Sequence, residues 1–149
     1  MKVTVVVDPQ LNTPEVVIRA PAVTPEVERV ANGLRGRGEG PAVTAFREGE
    51  ALLLPRSDIL RFFADGKGVS CQTAEGVCSV RQRLYELEEQ LAGTRFVRVS
   101  HSEIINLDKV TALDLSLSGT IRVTLAGGVT AYASRRYVKK LKQAAGIVR

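Results

Sequence analysis

The spacing of apolar and polar residues changes character along this chain, and the changes divide it. The opening MKVTVVVD is a run of β-branched residues that predicts a strand, interrupted by Asp8, Pro9, Asn12 and Pro14, with Val16 to Ile18 as a second short strand. Thr24, Pro25 and Glu26 form a helix start: the hydroxyl serves as N-cap, proline occupies the first helical position, and Val27, Val30 and Leu34 share one face. That helix must stop near Gly36 to Gly40. The segment GRGEGP reads as a linker and sets a boundary close to Pro41, giving an N-terminal β-α extension over residues 1–40 and a main domain over 41–149.

Beyond the boundary the period becomes that of short strands: Ala42 to Arg47, Ala51 to Leu54, Ile59 to Ala64, Val69 to Thr73 and Val77 to Arg81. The last two flank a turn at Ala74 to Gly76, so Cys71 and Cys78 fall on neighbouring strands of a hairpin. Arg83 to Ala92 switches to helical spacing, with Leu84, Leu87 and Leu91 inward and Glu86, Glu88 and Glu89 outward, and ends at Gly93. Strands resume at Phe96 to Val99, Ile104 to Asn106, Val110 to Ser116 and Thr120 to Leu125, and Gly127-Gly128 turns the chain into Val129 to Ala133. Ser134 then caps a short C-terminal helix with Val138, Leu141 and Ala145 facing inward and Lys139, Lys140, Lys142 and Gln143 outward.

Composition narrows the class. With 44% hydrophobic and 25% charged residues the chain has the make-up of a globular domain. No apolar run approaches the roughly 20 residues of a membrane span, so no membrane insertion and a cytoplasmic location are expected. One histidine and two cysteines are too few for a multi-ligand metal site, so neither metal nor cofactor is expected, and Cys71 and Cys78 are expected as a reduced, packed pair. The net charge of +5 is unevenly spread. Residues 1–80 hold nine basic against ten acidic side chains, whereas residues 81–149 hold twelve against six. The stretch Arg135, Arg136, Lys139, Lys140, Lys142 and Arg149 contains no acid, which suits a polyanion such as a phosphate backbone, or else a solvated helix face.

The block FVRVSHSEIINLDKVTALDLSLSGTIRVTLAGGVTAYASRRYVKKLKQAAGI resembles the LytTR DNA-binding domain family. The residues that carry the likeness are Phe96, Arg98, the polar loop Ser100 to Ser102, the apolar pair Ile104-Ile105 followed by Asn106, and the helix start Ser134 to Tyr137. The likeness extends back through RLYELEEQL to about Ala42, and the N-terminal part is similar to the extension on small regulators of this family that lack a receiver domain. Membership implies a mainly β, α+β fold of elongated antiparallel sheets with one packed helix and a short C-terminal helix, in which loops, not a recognition helix, reach DNA. It further implies sequence-specific binding of double-stranded DNA on paired repeats, by a homodimer or two copies, in transcriptional regulation. Control by a regulatory protein partner, by abundance or by oxidation of the two cysteines all stay open.

The resemblance also nominates residues. Arg136 matches the family's base-reading arginine and can bond guanine bidentately, its structural alternative being a salt bridge to Asp114 or Glu103. Arg135 is a candidate for phosphate. Many members carry His-Arg or His-Asn before the loop serine, where this chain has Ser100 and His101; His101 can donate to phosphate or a base, and Ser100 and Ser102 either donate to phosphate or hold the turn. In the first DNA-contacting loop, after the strand ending at Phe63 or Ala64, Lys67 is the donor. Lys139 and Lys140, with Lys142, are phosphate contacts or solubilising charges, and Asn106 is read as structural. An enzyme is not expected, because the lone histidine has no evident nucleophile and no glycine-rich phosphate loop follows a strand. A β-rich protein- or RNA-interaction module with a non-specific basic surface is the alternative, although few aromatics are present to stack bases.

Overall fold

The computed structural model describes residues 1–12, 14–35 and 42–147. The chain separates into two units, Met1–Arg35 and Gly36–Arg149. The expected linker, Gly36 to Pro41, lies outside the described residues.

In the first unit, helix α1 (Pro25–Arg35) begins where expected. The Thr24 hydroxyl accepts a hydrogen bond from the Val27 amide at 3.3 Å and so satisfies one of the orphan donors of the first turn. The two N-terminal strands are corrected by the structure: neither Met1 to Asp8 nor Val16 to Ile18 is a strand, and Val3, Val5, Val6 and Val7 are between 81% and 86% exposed. β-branched side chains favour a pleated surface only where a neighbouring strand offers one.

The second unit holds ten strands among the described residues. One sheet has seven: β1 (Val43–Arg47), β2 (Glu50–Leu54), β3 (Ile59–Asp65), β4 (Gly68–Thr73), β5 (Gly76–Val80), β6 (Phe96–Ser100) and β7 (Glu103–Asn106), in the spatial order β2-β1-β5-β4-β3-β7-β6. The other has three, β8 (Val110–Asp114), β9 (Ile121–Leu125) and β10 (Thr130–Ala133), with β9 in the middle. Every pairing is antiparallel. Helix α2 (Leu84–Gln90) and helix α3 (Val138–Ala144) complete the unit. Gly127 and Gly128 take φ of 77° and 81°, and the Leu125 amide donates to the Val129 carbonyl at 2.7 Å, closing the β9–β10 turn in a conformation that side chains with a Cβ resist.

Strands β3 and β7 are buried on both faces, which explains their nearly continuous apolar runs. Ile59, Phe62 and Ile104 join one core with Cys71, Cys78 and the inward face of α2, Leu84 and Leu87, which Leu91 extends just beyond the helix; Leu60 and Ile105 point the other way, into a core with Val97, Val99, β9, β10 and Leu141 of α3. Asn106, only 3% exposed, joins these layers: its side-chain amide donates to the Ile59 carbonyl at 2.9 Å and its oxygen accepts from the Asp108 amide at 3.0 Å. Three local expectations are corrected. Strand β8 stops at Asp114 because that carboxylate turns to bond the Ser116 amide and hydroxyl; Ser134 makes no side-chain cap; and Ala144, not the exposed Ala145, packs into the core beside Leu141.

Cys71 and Cys78 are directly paired across β4 and β5, and both are free and buried. Burial, and secondarily a charge on Cys78, pushes the Cys71 thiol up from 9.0 to about 12. Folding therefore favours the protonated thiol: this contribution to stability is fully present below pH 9.0 and fades as pH rises toward about 12. Iodoacetamide in mildly alkaline buffer is expected to leave Cys71 unmodified in the folded protein and to alkylate it promptly in guanidinium. Asn106→Ala is expected to lower the unfolding free energy by about 1–3 kcal/mol in a denaturant titration, because the buried Ile59 carbonyl loses its donor.

Candidate nucleic-acid interface

Antiparallel register brings four connections to one end of the larger sheet. Because Phe63 of β3 pairs with Glu103 of β7, the β3–β4 turn lies beside the β6–β7 turn, and the Ala64 amide donates to the Ser102 carbonyl at 2.8 Å. Val69 at the start of β4 pairs with Val80 at the end of β5, so the connection Arg81 to Arg83 emerges at the same end. The Ser134 amide donates to the Val99 carbonyl at 2.9 Å, which fastens the approach to α3 onto β6. The side chains of these connections are mostly exposed.

Arg98 builds the β6–β7 turn from within. Its side chain is 11% exposed; Nε donates to the Ser100 carbonyl and Nη2 to the His101 carbonyl, each at 2.7 Å, while Nη1 pairs with Glu88 of α2 at 3.3 Å. A guanidinium supplies its donors in a fixed fork, so one side chain here clamps two successive carbonyls and a helix together. The Ser100 hydroxyl accepts from the Ser102 amide and bonds the Ser102 hydroxyl, both at 3.2 Å, so these serines hold the turn. His101 is exposed at the tip and meets the Tyr137 ring edge-on, with centroids 6.1 Å apart. Sequence alone placed Arg98 in a motif without showing this role, because its acceptors are backbone atoms and a helix ten residues upstream.

The remaining candidates fall into four places. Arg136 is exposed and makes no ion pair among the described residues; Glu103 is taken by Arg61 at 2.7 Å and Asp114 by Arg122 at 2.9 Å, so the alternative salt bridges are absent. Burial raises the Glu103 carboxyl despite Arg61, whereas the Ser116 hydroxyl and amide, and then Arg122, hold Asp114 below the usual carboxylate range. Arg135 and Lys139 lie to one side, in a groove they share with Lys142, Leu115 and Leu117. There the guanidinium rests on the backbone of Gly119, whose φ is +75°, and a Cβ at that glycine would sit 2.9 Å from Arg135 Nη2. Lys140 turns the opposite way and pairs with Glu88 at 3.4 Å.

Lys67 is exposed on the β3–β4 turn and borders a concavity of about 420 Å³ together with Arg81, Arg83 and Arg98. Arg81 and Arg83 were not among the sequence candidates. Arg81 stacks over the Phe46 ring at 4.2 Å, and both arginines follow a hairpin whose register alone reveals their proximity to Lys67. Arg98→Ala is expected to lower stability by about 2 kcal/mol, since it removes charge-assisted bonds from a largely buried group, and to speed amide exchange selectively at Ser100 to Ser102.

Comparisons with known proteins identify the family and the fold. The model of the LytTr DNA-binding domain family matches residues 49–146. An uncharacterized HTH-type transcriptional regulator of Staphylococcus aureus strain NCTC 8325 is 32% identical over 126 residues, covering 85% of each chain, and its counterpart in strain MRSA252 is 31% identical over the same span. A solved LytTr DNA-binding domain, from a Bacillus cereus protein described as a methyl-accepting/DNA response regulator, shares the fold with a TM-score of 0.68 at 20% identity, over 72% of this chain and 98% of that one. Despite the relatives' helix-turn-helix label, α2 and α3 are separated here by five strands and do not form such a pair. The chain belongs to the LytTR DNA-binding domain family.

Proposed function

We propose that this protein is a transcriptional regulator that binds double-stranded DNA sequence-specifically through the four connections gathered at one end of the larger sheet. The carrying observation is that the charged side chains of Arg136, Lys67, Arg81 and Arg83 make no ion pair among the described residues, while the carboxylates of Glu88, Glu103 and Asp114 are each paired with other cations. Positive charge without an internal counterion is what a phosphate backbone neutralises, releasing its condensed cations.

Within this reading Arg136 reads a base edge in the major groove, where a guanidinium bonds guanine bidentately. Lys67, Arg81, Arg83 and His101 hold the duplex in register through phosphates, and Arg135 and Lys139 extend the phosphate track along the start of α3. Ser100 and Ser102 shape the turn and present backbone at its tip. Lys140 serves chiefly to tie α3 to α2. Residues 41–149 form the DNA-binding domain and residues 1–40 an extension of it. The protein acts in the cytoplasm by binding, without catalysis, and a homodimer or two copies occupy paired repeats.

Fluorescence anisotropy with the duplex upstream of the coding region, a scrambled duplex and a single strand, over a salt series, tests the reading. Tight, salt-sensitive preference for the upstream duplex is expected; equal weak binding to all three would overturn it. Arg136→Ala should cost about 1–3 kcal/mol on the preferred duplex and flatten discrimination. Lys139→Ala should weaken all duplexes alike and reduce the salt slope by about 0.9, with a smaller change for Lys140→Ala.

A further inference from the structure

The first unit, Met1–Arg35, is below the roughly 40 residues at which a chain ordinarily buries a core without a disulfide, a metal or a partner. It leaves Val3, Val5, Val6 and Val7 more than 80% exposed, and Val16, Val17 and Val23 between 70% and 76% exposed. Its first eight residues also lack a β ladder: the one backbone bond they make among the described residues is Asp8 carbonyl to Leu11 amide. A β-branched run with exposed side chains and unpaired amides is suited to pairing with another strand.

We propose that a second copy of this chain provides that strand, by antiparallel pairing of Lys2 to Asp8 with itself about a two-fold axis through Val5. The charges select this arrangement. Centred on Val5, antiparallel pairing sets Lys2 of each copy opposite Asp8 of the other, Val3 opposite Val7 and Thr4 opposite Val6. Parallel pairing in register would instead stack Lys2 on Lys2 and Asp8 on Asp8, and like charges directly opposed are unfavourable. The antiparallel pairing places Val3, Val5 and Val7 of both copies on one face, a continuous apolar strip, with the two Lys2–Asp8 pairs closing the ends of the other face. The same surface serves both copies, which makes the contact closed and isologous and stops assembly at a dimer. Such a dimer links two DNA-binding domains and so suits paired repeats, but it forms without DNA and stands independently of the DNA-binding reading.

The test is run on the full chain without DNA. Sedimentation should show a dimer for the natural sequence and a self-association weakened by roughly tenfold or more in Val5→Asp, where two carboxylates meet on the axis. Under oxidised glutathione, Val5→Cys should form a disulfide-linked dimer. Val3→Cys or Val7→Cys alone should not, whereas an equimolar mixture of those two should cross-link. The natural chain, with Cys71 and Cys78 buried, is the control. A monomer at all accessible concentrations would show that something other than a second copy covers this segment and would overturn the proposal. So would a dimer unaffected by Val5→Asp, or cross-linking that is equal at positions 3, 5 and 7.

Discussion

The end of the larger sheet proposed to meet DNA depends on one side chain held in the crook of one turn. Arg98 donates to the carbonyls of Ser100 and His101 and reaches Glu88 of α2, so the turn that presents His101 is bolted to the helix covering the sheet. Without that guanidinium two carbonyls at the turn would need water, and the turn would lose its defined direction. Glu88 also receives Lys140, so the same carboxylate connects the turn, α2 and α3. A single acid thus helps place two of the segments that the proposed function assigns to DNA.

Behind that end the sheet works as a register device. Strand β3 lies between β4 and β7 and is buried on both faces, so a slip of one residue would exchange Ile59 and Phe62 with Leu60 between two different cores. Locked in this way, β3 determines where the β3–β4 and β6–β7 turns meet. Rigid strands allow the exposed connections at their ends to vary in sequence while their positions stay constant.

Much of this was legible in the sequence because its cues are local. Period-two alternation, the glycines at positions 127 and 128 and the Leu84–Leu87–Leu91 face each specify an element without help from elsewhere, and the stretch from Phe96 to Asn106 carries the family likeness. What escaped was set by tertiary partners. The acceptors of Arg98 are carbonyls and a distant glutamate; Lys140 reads as an outward helix charge until α2 supplies Glu88; and Arg81 and Arg83 join Lys67 only through the β4–β5 register. The N-terminal run shows the converse, since its strand propensity is strong and yet no strand forms where no neighbour pairs with it.

The proposed function requires four connections separated in sequence to act as one DNA-binding face. Hydrogen exchange followed by mass spectrometry, on the full chain with and without a saturating cognate duplex, tests that requirement. DNA is expected to protect residues 65–68, 81–83, 100–102 and 134–139 together and to leave the edge strand β2 unchanged. Protection confined to α3, or appearing at β2 with the turns unaffected, would show that the four connections do not form one face.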